Sequence, residues 1–449
     1  MTARELLNLL RRREVSAREL LDLHVARLER DNPAINAVVT LDVERARVTA
    51  RVVDQQLARG RLVGPLHGLP MTVKDTFETA GLRTVAGSVL LRDHRPAADA
   101  VAVARLKDAG AVVFGKTNTP ALAGDWQTFN DVFGVTSNPW DHALTAGGSS
   151  GGSAAALAAG FSSMELGSDI GGSIRMPAAM CGVCGHKPTH GVVPQRGHIP
   201  GPPGSLSHPD LGVAGPMARS VDDLVLALGV LAGPIDPQAR GWSLQLPEPR
   251  GHGLKSWRLA SLVDDAAAPV DQPVRAALSQ VLETLASQGA AVERSPVLPV
   301  GHRDLAELYS TLLRPVVGED RRLTHVKWLA ANERRLHLMQ AMDALFDRFD
   351  AVLMPAFPVV AFTHDQRPVA ERTITVDGQH LPYAETALFW AGLATTLHLP
   401  STVLPVATTT DGRGTTLPVG LQVVGRYLGD LTTLAVAADI ERVVGRFPL

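Results

Sequence analysis

Cysteine is scarce in this chain, since only Cys181 and Cys184 occur among 449 residues. Two cysteines cannot build the disulfide framework of a secreted domain, and such usage is typical of proteins from reducing compartments. Residues 1–31 also lack an uninterrupted apolar run, because three consecutive arginines at 11–13 break it. This pattern predicts neither a signal peptide nor a membrane span. We therefore expect a cytoplasmic protein.

An excess of charge of one sign is also absent. The formal net charge is −2 at pH 7, and hydrophobic residues make up 45% of the chain against 20% for charged residues. Such a chain has no electrostatic footprint for nucleic acid or for an anionic membrane. We expect a globular protein, monomeric or homodimeric, whose partner is a small molecule.

Lysine is also scarce, with six among 43 basic side chains. Arginine keeps its proton in proteins, whereas a buried lysine can lose it. Lys74 follows the apolar segment 71–73, which predicts a strand, and Lys116 lies in the similar segment 111–118. A charged side chain at the buried end of a strand is costly unless the protein uses it. Both lysines are therefore candidates for a catalytic base.

The pattern of helices and strands predicts an α/β fold. Helical and strand-like segments alternate on both sides of residues 233–257, a stretch rich in proline and glycine that indicates a surface connection. We predict a single domain over residues 1–449, with N-terminal helices in 1–60, a core in 61–232 and a C-terminal part of the same sheet in 258–449. Its central β-sheet is expected to be mixed, mainly parallel and covered by helices on both sides.

The starts of the first two helices are predicted in detail. Thr2 stands three residues before Glu5, and Ser16 stands three residues before Glu19. In this spacing each side chain can bond the backbone N–H of the other residue, which is the capping box.

Two serine–glycine turns dominate the middle of the chain, at residues 145–153 and 167–175. A flexible linker should have polar, structureless neighbours, but the first turn leads directly into the alanine-rich segment 154–159, a strong helix former. Glycine permits positive φ and close approach, so each turn can expose a serine hydroxyl beside free backbone N–H groups. Those are the components of an acyl-transfer site. Residues 185–215, dense in Gly, Pro and His, are expected to form a wall of its pocket.

Three familiar motifs match this sequence in letters but not in context. Residues 110–117 fit the phosphate loop, yet the middle of this segment predicts a strand where that motif needs an open loop.

A zinc-like spacing occurs at Cys181, Cys184, His186 and His190. These cysteines lie in an apolar run, where cysteine packs as a core residue, so we expect no metal, and we expect no cofactor. Residues 147–151 match the Gly-x-Ser-x-Gly elbow of α/β-hydrolases, although 138–143 predict a turn where the elbow needs a strand. That alternative describes an esterase with Ser149 as nucleophile.

Residues 147–153 and 168–178, with Lys74 upstream, resemble the signature of the amidase signature family of serine hydrolases. By motif the resemblance covers residues 66–222, and it includes the segments 138–140 and 187–191. It implies the amidase signature fold, in which helices cover a central mixed sheet. The whole chain is similar to the urethane-cleaving branch of the family.

The resemblance implies a role for each matching residue. Ser173 is expected to be the nucleophile, Ser149 a bridging serine on a cis peptide bond, and Lys74 the base. The N–H groups of an oxyanion hole would be those of Ile170, Gly171, Gly172 and Ser173. Supporting positions around these groups would be Ser150, Ser168, Asp169 and Arg175. Ala123 and Gly124 would contact the substrate.

The expected activity is hydrolysis of the C–N bonds of small uncharged amides or carbamates through an acyl-enzyme. Burial disfavours the ammonium form of lysine, so a neutral Lys74 can accept the Ser173 proton through Ser149. The sequence departs from the best-known family pattern at Cys184, His186 and His190, and in residues 123–126. These departures bear on which substrate is bound. An alternative in the same family is the glutaminase subunit of an amidotransferase, which works with a partner protein.

Overall fold

The computed structural model of the protein describes residues 1–263, 269–318 and 323–448. Within these residues there are twelve α-helices: α1 (Ala3–Arg11), α2 (Ala17–Ile35), α3 (Val43–Ala58), α4 (Val101–Asp108), α5 (Gly151–Ala158), α6 (Arg175–Cys181), α7 (Val221–Leu231), α8 (Gln272–Ser287), α9 (His302–Val316), α10 (His325–Arg348), α11 (Tyr383–Thr396) and α12 (Asp430–Val444). The same residues contain seventeen β-strands: β1 (Val38–Leu41), β2 (Pro70–Lys74), β3 (Val112–Thr117), β4 (Phe129–Asn130), β5 (Gly134–Val135), β6 (Ser137–Asn138), β7 (Asp141–Thr145), β8 (Glu165–Asp169), β9 (Cys184–Lys187), β10 (Val213–Ala218), β11 (Arg258–Ser261), β12 (Ala291–Arg294), β13 (Ala351–Pro355), β14 (Thr373–Val376), β15 (Gln379–Pro382), β16 (Ser401–Thr410) and β17 (Thr416–Val424).

The central sheet has eight strands in the order β12–β11–β13–β17–β16–β9–β10–β8. Strand β11 runs parallel to both of its neighbours, β12 and β13, whereas the other five pairings are antiparallel. The prediction of an α/β fold with a mixed sheet is confirmed, but the prediction that the sheet is mainly parallel is wrong. For one of these pairs the connection gives the reason: only residues 411–415 join β16 to β17, whereas parallel neighbours need a crossover of about a dozen residues or more.

Strands on both sides of the 233–257 connection belong to this one sheet. Strands β8 to β10 precede the connection, and β11 follows it directly. Most of the connection is exposed, but Trp257 at its end is buried and donates a hydrogen bond from Nε1 to Asp439, at 2.6 Å. The sheet therefore continues from the serine–glycine region into the C-terminal part of the chain.

A second, smaller sheet carries Lys74. It has the order β1–β3–β2, and β2 runs parallel to β3 with α4 between them in the chain. Lys74 is the last residue of β2, and this strand packs against β8 of the central sheet. The end of β2 is therefore brought to the serine–glycine turns by contact between two sheets.

The helices follow from local sequence and from burial of their apolar faces. Both predicted capping boxes are confirmed, with Thr2 at the start of α1 and Ser16 at the start of α2. Helices α6, α8 and α12 pack against β16 and β17. Among the helices of the described residues, none combines the length and the apolar character that a membrane crossing requires.

Candidate active site

The two serine–glycine turns lie in direct contact. The backbone N–H of Ser150 donates to the carbonyl oxygen of Ser173 at 3.1 Å, and helices α5 and α6 begin just after these two residues. The turns require glycine at Gly147 and Gly172, where φ is +78° and +96°. The peptide bond between Gly148 and Ser149 is cis. The chain thus brings the two serines that the sequence singled out into one site.

Lys74 lies among three serine hydroxyls. Its side chain is fully buried, and Nζ lies 2.7 Å from Oγ of Ser149, 3.0 Å from Oγ of Ser150 and 2.9 Å from Oγ of Ser168. Burial lowers the pKa of Lys74 to about 7, and the charge of Asp169 opposes this shift only in part. A large fraction of the molecules therefore has a neutral amine here at neutral pH, next to a hydroxyl that can exchange a proton with it.

Asp169 and Arg175 form a buried ion pair beside these serines. The guanidinium donates two hydrogen bonds to the carboxylate, at 2.8 and 3.0 Å, and both side chains are at most 1% exposed. Burial alone would raise the pKa of Asp169, but the charge and hydrogen bonds of Arg175 lower it to about 2. Arg175 also donates to Gln422 and to Thr395, at 2.7 and 2.8 Å. The pair therefore ties the second turn to α11 and β17.

The backbone of residues 170–173 is held by three side chains. Tyr309 donates from its hydroxyl to the carbonyl of Ile170 at 2.5 Å, and Trp126 donates from Nε1 to the carbonyl of Gly171 at 2.7 Å. The N–H of Gly172 donates to Oδ1 of Asp169 at 3.0 Å. The sequence predicted four free N–H groups in this segment. The N–H of Gly172 is not free, because it is hydrogen-bonded to the ionised carboxylate of Asp169. Tyr309 was not singled out from the sequence, and Trp126 was noted only as part of a departure from the family pattern.

A cavity of about 510 Å³ opens onto both serines. Its described lining includes Ser149, Ser168, Asp169, Ile170 and Ser173, together with Ala121, Leu122, Ala123, Gly124, Gln195, His198, Pro200, Gly201, Pro209, Gly212, Val213, Val316, Val317 and Gly318. Gly171 and Gly172 are outside this described lining. Residues 195–213 line one side, which agrees with the expectation that the segment 185–215 is a pocket wall.

His198 lies in this wall and was not singled out from the sequence. Its ring contacts Phe77 with the ring centroids 4.6 Å apart, and its Nε2 is buried without a hydrogen-bond partner among the described residues. Burial, with the charges of Lys74 and Lys116, lowers the pKa of His198 to about 3. The imidazole is therefore neutral at physiological pH, and it lines the cavity that contains the two serines.

Lys116, the second candidate base, lies in a different environment. Nζ donates to the carbonyl of Phe77 and to the hydroxyls of Thr79 and Thr84, and it lies 3.8 Å from Oδ1 of Asp75. Burial lowers its pKa to about 8, with Asp75 acting in the opposite direction. No serine hydroxyl is among these contacts, so Lys116 is not placed to exchange a proton with Ser149.

The zinc-like spacing does not form one group. Cys181 donates to the carbonyl of Ala146, Cys184 contacts Glu441, and His186 bonds Thr402 and Asp430. The described residues do contain a cluster with metal-ligand composition, formed by His190, Asp210 and His398. The guanidinium of Arg335 already lies there, 2.8 Å from Oδ1 of Asp210 and 3.1 Å from Nε2 of His398. A positive side chain at this place does not fit a metal site.

The Gly-x-Ser-x-Gly motif has a strand before it, which corrects one sequence expectation. Residues 138–143 were predicted to form a turn, but β7 begins at Asp141 and leads into the motif. It pairs with β6 in a two-stranded ribbon, because the tight turn at residues 139–140 folds the chain back on itself. The elbow of α/β-hydrolases requires a strand of the main sheet, and β7 is outside that sheet.

Comparison with known proteins gives a consistent result. The sequence profile of the Amidase family matches residues 19–314 and 306–434. A glutamyl-tRNA(Gln) amidotransferase subunit from Heliobacterium modesticaldum is 32% identical over 492 aligned residues, covering 99% of this chain and 97% of the relative. A solved structure of an amidase has a TM-score of 0.83 at 31% identity, covering 99% of this chain and all of the other. A bacterial aryl acylamidase of the amidase signature family has a TM-score of 0.85 at 25% identity, covering 99% and 96%.

Proposed function

The chain belongs to the amidase signature family, whose enzymes act on C–N bonds, and from that membership we propose that it hydrolyses small uncharged amides or carbamates through an acyl-enzyme on Ser173. One observation carries the proposal: a buried lysine of lowered pKa contacts Ser149, which lines one cavity with Ser173. A lysine without a proton in reach of a serine hydroxyl is the base that serine nucleophiles need.

The proposed reaction begins with proton transfer. Ser149 gives its hydroxyl proton to Lys74 and takes the proton of Ser173, whose oxygen attacks the substrate carbonyl. When the C–N bond breaks, Ser149 returns a proton to the leaving nitrogen, since an amine leaves poorly as an anion. Water then enters by the same proton route and releases the carboxylic acid from an amide, or the carbonic acid monoester from a carbamate. Ser173 and Lys74 are restored at the end of the cycle.

The tetrahedral intermediate carries a negative oxygen that needs hydrogen-bond donors. We assign the N–H groups of Ile170, Gly171 and Ser173 to this oxyanion hole, because the N–H of Gly172 is bound by Asp169. Donors fixed in advance in a site without bulk water stabilise developing charge with little reorganisation. Of the four groups that the sequence suggested, three therefore remain in the proposal.

The supporting residues are assigned from their contacts. Ser150 and Ser168 bind the Lys74 amine and hold it toward Ser149. Asp169 accepts hydrogen bonds from the N–H groups of Gly172 and Ile174, both at 3.0 Å, and thereby fixes the backbone on either side of Ser173. Arg175 keeps Asp169 ionised for this task.

The cavity supports an uncharged and partly apolar substrate. Its described lining contains neither lysine nor arginine, and its carboxylate, Asp169, is neutralised by Arg175. A fixed charge on the substrate would then lose its hydration without gaining a partner. Ala123 and Gly124 line the cavity and are proposed to contact the substrate. A preference for carbamates belongs to the proposal through the resemblance to the urethane-cleaving branch.

A second candidate function is that of a glutaminase subunit. The curated relative from Heliobacterium modesticaldum is named as one subunit of a glutamyl-tRNA(Gln) amidotransferase, and the match covers almost the whole of both chains. Glutamine carries an α-ammonium and an α-carboxylate, and the described lining offers no free partner of the required charge for the carboxylate. For this reason the free-standing hydrolase is preferred, acting as a monomer or homodimer without a cofactor.

Two further parts of the proposal concern organisation and location. We assign residues 1–449 to a single domain, since the central sheet takes strands from both sides of the 233–257 connection. We place the protein in the cytoplasm, since its two cysteines are buried and unpaired, as is usual in reducing compartments.

The test is turnover by the purified chain alone. The panel contains an acyl anilide, an aliphatic amide, an aryl carbamate, a carboxylated amide and glutamine, with Ser173→Ala as the inactive control. We expect turnover of an uncharged member and none by the control. Glutamine hydrolysis that needs a second protein would favour the amidotransferase reading, and a preference for the carboxylated amide would contradict the account of the cavity.

A further inference from the structure

Two consecutive carbonyl groups of the segment 170–173 are bound by side chains from distant parts of the chain. Tyr309, on α9, donates to the carbonyl of Ile170 at 2.5 Å. Trp126, between β3 and β4, donates to the carbonyl of Gly171 at 2.7 Å. If alanine replaced Gly171, the added carbon would lie 3.5 Å from both donor atoms, so the two donors converge on this residue.

Binding these carbonyls also fixes the direction of N–H groups. In a trans peptide the C=O and the N–H point in opposite directions. The N–H of Gly171 must therefore point away from Tyr309, and the N–H of Gly172 must point away from Trp126. The second consequence is visible directly, because the Gly172 N–H meets Asp169 at 3.0 Å. Among the described residues, the N–H of Gly171 has no hydrogen-bond acceptor.

We propose that Trp126 and Tyr309 are positioning residues, which hold the Gly171 N–H in the direction of the oxyanion. The inference rests on the proposed function, since it assigns this N–H to the oxyanion hole. Two adjacent glycines have wide conformational freedom, so the peptide planes between Ile170 and Gly172 are fixed only if other groups hold them. Neither Trp126 nor Tyr309 touches the reacting atoms in this role.

The two anchors are themselves held in place. Tyr309 is 3% exposed and packs with Leu308 and Leu312 of its own helix. Trp126 packs edge-on against Tyr383, with the ring centroids 5.6 Å apart. Its neighbour Asp125 accepts hydrogen bonds from Arg372, at 2.7 and 3.0 Å. A rigid donor is the requirement for orienting a peptide plane, and both donors meet it.

The experiment compares Trp126→Phe and Tyr309→Phe with wild type and with Trp140→Phe. Trp140 is a matched control, since it is also half-buried and its Nε1 donates to a backbone carbonyl, that of Cys181, at 3.0 Å. Three quantities are measured: kcat and KM for an amide, the rate at which a fluorophosphonate labels Ser173, and Tm. In the labelling reaction the Ser173 oxygen bonds phosphorus, fluoride leaves, and the phosphoryl oxygen takes the place of the oxyanion.

We expect each test variant to lower kcat about 10- to 100-fold, less than the loss of an oxyanion donor itself, which costs about 10²- to 10³-fold. The labelling rate should fall in parallel, with KM and Tm close to those of the control. Full kcat and labelling rate in both variants would overturn the inference. A loss of kcat accompanied by a Tm below that of the control would also overturn it, because this would indicate general destabilisation.

If wild type is labelled on Ser173 but cleaves no amide, the proposed activity fails and the labelling rates still decide the role of the anchors. If wild type is not labelled at Ser173, both proposals fall.

Discussion

Replacing Lys74 by methionine should remove the acid limb of the pH–rate profile. Burial lowers the pKa of Lys74 from an ordinary 10.5 to about 7. At pH 7 about half of the molecules then carry a neutral amine, whereas a lysine at its ordinary pKa would be neutral in about one molecule in 3,000. The burial of this one side chain therefore increases the concentration of active base about a thousandfold. Lys74→Met has no such base at any pH.

The sign of the pH dependence follows from the role of a base. Below its pKa Lys74 is protonated and cannot accept a proton, so activity falls as the pH falls. With a pKa of about 7, kcat/KM should drop about tenfold for each pH unit below that value and level off above it. The assay is kcat/KM for an uncharged amide between about pH 5 and 9, at constant ionic strength.

Lys187 provides the matched control for this prediction. Burial lowers its pKa to about 7 as well, but its Nζ contacts only the carbonyl of Pro188 among the hydrogen bonds of the described residues. Lys187→Met should keep the acid limb, and Lys74→Arg should lose it together with activity, because arginine does not deprotonate. A wild-type profile that is flat through pH 6, or an acid limb that survives in Lys74→Met, would refute the assignment of the base.

Further predictions concern the ion pair, the serines, the histidine and the absence of a metal. Arg175→Met removes the ion-pair partner of the buried Asp169 carboxylate and should lower the free energy of unfolding by about 3–5 kcal/mol in urea titration; a loss below about 1 kcal/mol would contradict this. Ser173→Ala should abolish acylation, whereas Ser149→Ala should slow it and still give acylated protein in mass spectra; the reverse order would contradict the proton route. His198→Phe should raise KM about tenfold for substrates with a hydrogen-bonding substituent and leave apolar analogues unchanged; equal effects on both would argue against a polar contact. Activity should survive EDTA, and loss that zinc restores would reverse the reading of the cysteines.

The local parts of this structure were predictable because short-range rules fix them. The capping boxes at Thr2 and Ser16 depend on residues three positions apart, and both are present. The sequence also assigned both serine–glycine turns to one acyl-transfer site, because each offers a serine beside glycines, and Gly147 and Gly172 do have positive φ. Resemblance then supplied the remaining link, from Lys74 to Ser149.

The long-range parts were not predictable from such rules. Apolar segments such as 401–406 predict buried strands, but their pattern is the same for parallel and antiparallel neighbours. The pairing of β16 with β17 could therefore not be predicted from it. Trp126 and Tyr309 belong to no motif, and they reach residues 170–171 from positions 45 and 139 residues away. The buried Nε2 of His198 has no hydrogen-bond partner among the described residues, and this could not be predicted because it depends on the packing around the ring.

The central claim is that Ser173, and not Ser149, is the nucleophile, and the site of covalent labelling tests it most directly. The protein is treated with a fluorophosphonate and cleaved after Glu165, the only glutamate between the two serines, so that they fall on separate peptides. Fragmentation in the mass spectrometer then locates the adduct on each peptide. The account predicts label on Ser173 in wild type and none in Ser173→Ala. Label on Ser149, with Ser173 unmodified, would contradict it.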